Sequence, residues 1–598
     1  MPEATTLPPR RDISDQYKWN APSVFASVDA WEATFSATQA RVAELPGQFQ
    51  GKLHASAAGL ADLFETLEAV YGDVGKIYVY ASMSSATDTN DQTAAALTGR
   101  AMSLYSQTAA TVAFVEPEIL TIGQETVMQW VEDEPRLAVY AHHFADLFRQ
   151  QAHVRSAEVE ELLGMVGDPF SIVSQTARLL ANADLKFAPA TTAEGEQLSV
   201  EQGNVMGHML SPDRARRRTA HHSYRDGYLA LRNTFASNLT AAIKRDWFYA
   251  RARKHESSLE AALYPYNIPT DVFHNLVHTF RKNLPTWHRY WALRRKALGV
   301  DTLHWYDTVA PLAKSQPEVS YQQAVDWICE GMAPLGEHYV ATLRRGCLEE
   351  RWVDVYPNQG KRQGAFSSGW RGTHPFIMMS FQNNLQAMST LAHELGHSLH
   401  SYHTWQHQPE VYSNYSMFVA EVASNFNQAL VRAHLLEKYA DDPNFQIAMI
   451  EEAMSNFRRY FFIMPTLARF ELETHERVER GDALTADSMI DLMADLLSEG
   501  FGDELALDHD RDGIMWTEFP HLYANFYVFQ YATGISAAHA LAQGILAGGQ
   551  AEVDHYLAFL KAGSSLYPLD ALKLAGVDMT TPEAVEQTYA VLAGYVDR

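Results

Sequence analysis

The sequence predicts a mainly α-helical protein with one small β-sheet, on two observations. Apolar residues recur at helical spacing over most of the 598 residues, and strand-like runs gather in one place, at 352–356, 364–368 and 375–381. A hydrophobic content of 47% with 20% charged residues is ordinary for a globular protein. The chain is long enough for several domains or for one large helical body with lobes.

The helical segments follow one another along the chain and are separated by short turn signals. The predicted helices before the strand region are 31–45, 57–71, 93–114, two within 154–187, 212–253, 269–299 and 321–345. Residues 188–200 are polar and rich in turn formers, which indicates a linker or a hairpin. Residues 1–20 have the character of a flexible arm.

Charge and cysteine content exclude several classes of function. The formal net charge is −25, from 47 basic and 72 acidic side chains, which argues against binding to nucleic acid or to anionic membranes. We find no apolar run long enough to span a bilayer. Two cysteines without a CxxC spacing exclude a disulfide framework, and we expect a reduced, cytoplasmic location.

The strongest chemical signal is the pattern His393-Glu394-x-x-His397. Apolar residues at helical spacing on both sides predict a helix, in which residues four apart lie one turn above each other. The two imidazoles can therefore converge on one cation, and two neutral nitrogen ligands suit Zn²⁺. Glu394 then lies beside the metal, where this pattern uses a glutamate as general base.

Such a site needs a third protein ligand, and two residues compete for the position. His403 has the spacing of the metzincin ligand, but His400 replaces the glycine that breaks the helix in that pattern. Glu421 lies in a second helical pattern, and its carboxylate would complete a His₂Glu site with an open fourth position. From spacing alone, an ordinary solvated carboxylate explains Glu421 equally. We expect His400, His403 and His407 on an exposed helix face and the loop after it.

Two further regions offer groups to a substrate. The small predicted sheet precedes the histidine helix and could pair with an extended peptide, although a structural hairpin explains it equally. In segment 519–534, Tyr527 and Tyr531 are predicted to share a helix face, shortly after His521. An aromatic stripe usually belongs to a core, but buried tyrosine hydroxyls prefer a partner, and a cleft wall beside zinc would supply one.

Several ordered, separated motifs make the chain resemble the oligoendopeptidase F family, among the thimet-oligopeptidase-like zinc peptidases. The resemblance covers nearly the whole chain. The segments that carry it are 17–20, the region around 153–187, 364–366, 375–381, 391–397, 421–424, 520–521, 526–534, 567–568 and 575–579. Within it, Asn425, Gln428 and Phe529 stand where the family pattern has Thr, Glu and commonly Tyr.

The resemblance implies a bowl- or clamshell-shaped, zincin-like helical body with a deep channel, where short unstructured peptides are cleaved. It implies one zinc ion per chain, bound by His393, His397 and Glu421, with Glu394 as base. The remaining implied site residues are His521, Tyr527 and Tyr531 at the substrate carbonyl, and Gly364, Ala365, Phe366 and Gly534 in substrate binding.

The implied domain organisation is an arm at 1–20, an N-terminal helical region at 21–200 and a catalytic zinc peptidase region at 201–598. We expect an endopeptidase that acts as a monomer or small homo-oligomer, with peptides as its partners. Two alternatives remain open: a metzincin-like protease that uses His403, and a non-catalytic peptide-binding protein with a vestigial zinc site.

Overall fold

The computed structural model describes residues 7–598, which form two compact units. Unit 1 contains the described part of Met1–Ala152 together with Pro317–Lys438 and Leu541–Val577. Unit 2 contains His153–Gln316, Tyr439–Ala540 and Asp578–Arg598. The units do not divide at residue 200, where the sequence suggested a boundary, because each unit combines segments that are distant in sequence. Most residues of both units are helical, which confirms the predicted fold class.

The helices of unit 1 include the two that carry the proposed metal ligands, here named the first ligand helix (Leu385–His407) and the second ligand helix (Met417–Lys438). Its other α-helices are Val28–Phe49, Ala57–Thr87, Gln92–Thr111, Val115–Ile122, Gln124–Asp133, Ala141–Gln150, Tyr321–Gly331, Glu337–Leu348, Gln550–Ala562 and Pro568–Leu574. Buried apolar side chains such as Trp31, Phe64 and Phe144 fill the core of its first segment.

Unit 2 is also built mainly of helices. Its α-helices are Ala157–Met165, Gly167–Leu179, Val205–Met209, Arg214–Ala230, Arg232–Ala252, Ser258–Leu263, Thr270–Lys282, Leu284–Leu298, Pro443–Arg458, Met464–Arg480, Ala486–Phe501, His509–Gly513 and Glu583–Asp597, with Phe529–Ala547 beginning in this unit. Strands Ala190–Thr191 and Gln197–Leu198 pair antiparallel, so the predicted linker or hairpin is a hairpin. No helix described over residues 7–598 combines the length and the apolarity needed to cross a bilayer.

The predicted strand region forms a three-stranded sheet in unit 1. Phe376–Met378 is the central strand; it pairs parallel with Val353–Asp354 and antiparallel with Phe366–Ser368. The central strand is fully buried, as the apolar run Phe376-Ile377-Met378 requires. Phe366–Ser368 is therefore an edge strand, and it packs against the first ligand helix.

The start of the chain differs from the predicted flexible arm over residues 7–20. Arg10 forms an ion pair with the buried carboxylate of Asp354 (Nη2 to Oδ2, 2.7 Å), and the backbone N–H of Trp19 donates to the same carboxylate. The Trp19 side chain is buried in the core of unit 1. Neutralisation of Asp354 and burial of Trp19 hold this segment in place. Residues 1–6 of the expected arm lie outside the described residues.

Candidate metal centre

The first ligand helix forms as its sequence dictates. Asn384 caps its N-terminus by accepting a hydrogen bond from the backbone N–H of Ala387 (2.8 Å). The helix continues through His400, where the metzincin pattern would require a glycine, and it ends at His407. His403 therefore stays on the same helix and does not turn back towards His393 and His397.

Gly396 brings the second ligand helix close to the first. A Cβ atom at this position would lie 2.4 Å from the Ala423 carbonyl oxygen and 2.5 Å from Cα of Ser424. Only a residue without a side chain permits backbones to approach so closely. As a result, Glu421 on the second helix lies next to the two histidines of the first.

The three proposed ligands converge with a spacing that suits one small cation. Nε2 of His393 lies 3.3 Å from Oε2 of Glu421, and Nε2 of His397 lies 3.8 Å from the same oxygen. All three ligand atoms lie within 4.8 Å of one another. A tetrahedral Zn²⁺ with bonds of about 2.1 Å separates its ligand atoms by about 3.4 Å, so this donor set fits zinc. Within residues 7–598 no second group of three such side chains converges in this way.

Neighbouring groups orient two of the three proposed ligands, His393 and Glu421. Nδ1–H of His393 donates to Oε1 of Gln428 (3.1 Å), which leaves Nε2 facing Glu421. The Gln428 amide in turn donates to Oγ of Ser389 (2.8 Å). Oγ of Ser424 donates to Oε2 of Glu421 (3.0 Å). Metal-binding histidines and carboxylates usually have such outer partners, which restrict the rotamers of the ligands.

The charges of His393, His397 and Glu421 influence one another. Burial disfavours the charged form of His393, but the Glu421 carboxylate outweighs burial and raises the His393 pKa to about 9. Burial also opposes ionisation of Glu421, yet hydrogen bonding and attraction to His393 lower its pKa to about 2. Burial lowers the pKa of His397 to about 4. The cluster therefore contains a carboxylate and a neutral His397 imidazole, both of them forms that bind a metal ion, whereas His393 would lose its proton when a metal binds.

Glu394 is almost fully buried, with 6% of its surface exposed. Burial raises its pKa to about 7, while the charge of His393 opposes and that of Glu421 reinforces the shift. The backbone N–H of Ser367, in the edge strand, lies near the Glu394 carboxylate and lowers its pKa, against the effect of burial. Oγ of Ser367 also lies 2.8 Å from Oγ of Ser398, which fastens the edge strand to the first ligand helix.

The residues proposed for substrate binding lie in two places. Gly364 and Ala365 lead into the edge strand, Phe366 is its first residue, and Gly364 has a positive φ of 89°. Gly534 lies in unit 2, within helix Phe529–Ala547. The edge position of strand Phe366–Ser368 is the feature that an added peptide strand would require.

His521, Tyr527 and Tyr531 form one cluster in unit 2. The His521 and Tyr527 rings are stacked with centroids 5.9 Å apart, and the Tyr527 and Tyr531 hydroxyl oxygens are 3.0 Å apart. The sequence suggested one helix for Tyr527 and Tyr531, but the structure divides the segment. His521 lies in a 3₁₀ turn, Tyr527 precedes the helix and Tyr531 lies inside it. Phe526, with a positive φ of 48°, interrupts the helical path.

The expectation that His400 and His403 are exposed was wrong. They are 1% and 5% exposed, and each ring stacks on a tyrosine: His400 on Tyr415 at 3.7 Å between centroids, His403 on Tyr339 at 5.8 Å. Burial lowers the pKa of His403 to about 4 and that of His400 to about 3. His400 and His403 therefore belong to the buried face of the first ligand helix.

Sequence reasoning missed the residues that surround the proposed ligands and the proposed base: Ser389 and Ser424 near the ligands, and Ser367 near Glu394. A serine carries no motif signal, because its role depends on which segment packs beside it. Gln428 was noted only as a departure from the family pattern. Its spacing of seven residues from Glu421, two helical turns, is the signal that could have placed it on the ligand face.

Comparison with known proteins places this arrangement in a family. The model of Peptidase family M3 matches residues 208–591, and that of Oligopeptidase F matches residues 118–187. Oligopeptidase PepF of Bacillus subtilis is 40% identical over 585 residues, which cover 98% of this chain and 87% of that protein.

Solved structures agree with the sequence relatives. The crystal structure of oligoendopeptidase-F from Enterococcus faecium superposes with a TM-score of 0.73 at 32% identity, over 95% of this chain and 97% of that one. A crystal structure assigned as a peptidase in Chlamydophila abortus gives a TM-score of 0.88 at 31% identity, over 99% of both chains. The chain therefore belongs to peptidase family M3, as a peptidase of the oligoendopeptidase F type.

Proposed function

We propose that this peptidase is a zinc-dependent endopeptidase that hydrolyses internal bonds of short to medium, unstructured peptides. The observation that carries the proposal is the convergence of two imidazoles and a carboxylate within 4.8 Å, beside the buried Glu394. The names of the relatives, oligopeptidase and oligoendopeptidase, support short peptides as substrates.

His393, His397 and Glu421 would hold one zinc ion, and the open side of a three-ligand site leaves room for water or substrate. Bound zinc would act as a Lewis acid, which polarises the peptide carbonyl and makes water easier to deprotonate. Gln428 and Ser424 keep the ligand atoms aimed at one point, so little reorganisation is needed on binding.

Glu394 would transfer the proton in both halves of the reaction. Its carboxylate accepts a proton from the attacking water, whose oxygen adds to the carbonyl carbon of the scissile bond. The same carboxyl group then donates this proton to the departing nitrogen as the C–N bond breaks, which regenerates the carboxylate. The nearby backbone N–H of Ser367 favours the carboxylate form of Glu394, which is the form that accepts the proton.

The substrate contacts are proposed from the edge strand and from the family resemblance. Backbone groups of the 364–366 segment, which enters an edge strand, would pair with an extended peptide. The resemblance assigns hydrogen bonds with the developing oxyanion to His521, Tyr527 and Tyr531. One such donor typically contributes about 3 kcal/mol to transition-state stabilisation. The mutual contacts of the three side chains in unit 2 support a shared role.

The decisive experiment compares Glu394→Gln with the wild-type enzyme on a quenched fluorescent peptide. Zinc content should stay near one ion per chain, because Glu394 is not a proposed ligand, while kcat should fall by at least about 1,000-fold since the proton acceptor is lost. His397→Ala is the matched control and should lose both zinc and activity. Full peptidase activity in Glu394→Gln, or activity of the wild type that survives chelation of the zinc, would refute the proposal.

A further inference from the structure

The turn before Tyr527 adopts an unusual backbone conformation. Phe526 has a φ of 48°, in the left-handed region that a bulky aromatic residue rarely occupies. The chain leaves this turn directly into Tyr527, and helix Phe529–Ala547 begins two residues later. The position of the Tyr527 side chain therefore depends on how firmly the Phe526 turn is held.

A buried carboxyl group holds the turn. Oε1 of Glu471, in helix Met464–Arg480 of unit 2, accepts a hydrogen bond from the backbone N–H of Phe526 at 2.8 Å. Glu471 is 1% exposed. Its second oxygen has no hydrogen-bond partner among the described residues, so the contact with Phe526 is the main polar interaction of this side chain.

The same helix also contacts the Phe526 ring. His475, one turn after Glu471, packs on the ring with centroids 4.8 Å apart, and Phe273 packs edge-on from another helix at 5.6 Å. Nδ1 of His475 bonds the Glu471 carbonyl oxygen at 2.8 Å. Residues four apart share a helix face, so one face of Met464–Arg480 fixes both the backbone and the side chain of Phe526.

We infer that Glu471 is a positioning residue for the peptidase reaction, which holds the Phe526 turn so that Tyr527 meets the substrate with its hydroxyl beside that of Tyr531. Glu471 acts through Tyr527 and does not itself contact substrate. The inference rests on the proposed function of the tyrosines as hydrogen-bond donors. An apolar side chain could fill the space of Glu471, but it could not accept the hydrogen bond from the Phe526 N–H. The carboxyl group therefore serves the turn that precedes Tyr527.

The protonation state of Glu471 tells which substitution should preserve the contact. Burial raises the pKa of Glu471 well above its usual range, the Phe526 N–H opposes this shift and nearby Asp246 reinforces it. The neutral carboxyl is thus favoured, and glutamine has the same shape and the same carbonyl acceptor. Aspartate keeps the acid but is one methylene shorter, so it withdraws the acceptor from Phe526.

The test is a double-mutant cycle with Glu471→Asp and Tyr527→Phe, with Glu471→Gln as the conservative control. We measure kcat and KM on a quenched fluorescent peptide, together with zinc content and Tm for every variant. Glu471→Asp should lower kcat by about tenfold or more, because a small misplacement of a catalytic group is costly, with KM changed less than about threefold. Glu471→Gln should stay within about threefold of wild type in kcat. In the Tyr527→Phe background, Glu471→Asp should reduce kcat by less than about threefold.

The outcomes separate this inference from the proposed function. If Tyr527→Phe lowers kcat but Glu471→Asp does not, or if the two losses multiply, Glu471 is only a structural residue. If Tyr527→Phe leaves kcat unchanged, the proposed role of Tyr527 fails and the inference fails with it. A fall in Tm without a change in kcat would likewise overturn it. If Glu471→Asp does not fold, Glu471→Gln provides the test. A kcat of Glu471→Gln more than about tenfold below wild type, with Tm unchanged, would contradict the positioning role.

Discussion

At the scale of single residues, the choice of the third ligand decides which chemistry the site performs. Helical spacing alone predicts that His393 and His397 face one cation, but it cannot choose between His403 and Glu421. The structure separates them: Glu421 lies 3.3 Å from His393, whereas His403 stacks on Tyr339 along an unbroken helix. This geometry favours Glu421 as the proposed third ligand over the metzincin-like alternative.

A matched pair of variants tests this assignment. Glu421→Ala should lose at least about 100-fold in zinc affinity, because even outer partners of a ligand contribute 10- to 100-fold. His403→Ala should keep one zinc ion per chain and lose thermal stability instead, because its buried ring would leave a cavity. Zinc content by mass spectrometry and Tm are measured for both proteins. Loss of zinc from His403→Ala, with zinc retained in Glu421→Ala, would reverse the ligand set.

Residue-level prediction from sequence succeeded where a motif fixes the spacing and failed where packing decides. The pattern around Glu394 predicted a base and two ligands, and a second helical pattern offered Glu421. The structure brings the three proposed ligands together, and their roles stay predictions. The sequence could not show that His400 and His403 are buried, because histidine suits either a core or a surface. Ser367 could not be predicted either, because its position near Glu394 depends on how a separate strand packs against the helix.

At the scale of elements, the site depends on how closely the two ligand helices approach. The contact is made at Gly396, between the two histidines, where the second helix passes over the missing side chain. The sequence predicted both helices and the three strands next to them, since each has its own periodicity. It gave no sign that Tyr527 leaves the helical path, because the Phe526 turn is fixed by a side chain from a different helix.

Gly396→Ala should separate the ligand helices and weaken zinc binding. Alanine is the better helix former by about 1 kcal/mol, so local propensity alone predicts stabilisation. The added Cβ would lie 2.4 Å from the Ala423 carbonyl, and overpacking typically costs about 1–3 kcal/mol, so we expect a net loss of stability. Gly72→Ala is the control, because Gly72 lies inside helix Ala57–Thr87 of the same unit with nothing within 4 Å of its Cβ position.

The measurements are Tm and zinc affinity of both variants. Gly72→Ala should equal or exceed wild type in Tm and bind zinc normally. A Gly396→Ala protein that behaves like Gly72→Ala would show that the close approach of the helices does not matter for the site.

At the scale of the whole molecule, each compact unit is assembled from three stretches of chain. Composition and turn signals along the sequence suggested a boundary near residue 200, which falls between the two family matches. They could not reveal units that pair early segments with late ones, because such contacts leave no local signal. The predicted boundaries at 20 and 200 therefore describe regions of the sequence, and they do not coincide with the limits of the two compact units.

Because all three proposed ligands belong to unit 1, removal of zinc should affect the two units unequally. A ligand that binds only the folded state stabilises it by about 4 kcal/mol when its free concentration is a thousand times its Kd. We therefore expect chelation to accelerate amide exchange most in Leu385–His407 and Met417–Lys438, whose packing the ion would bridge. Peptides from Met464–Arg480 in unit 2 serve as the internal reference.

The experiment is hydrogen–deuterium exchange of the Glu394→Gln protein, whose peptidase activity we expect to be lost, with zinc, with chelator, and with zinc restored. Faster exchange confined to the two ligand helices, and reversed by zinc, would show that the ion stabilises the crossing at Gly396. Equal acceleration in Met464–Arg480 would mean that the metal supports the entire chain, and no change anywhere would mean that these helices hold their geometry without it. Either result would contradict a metal centre that is built, and stabilised, within unit 1 alone.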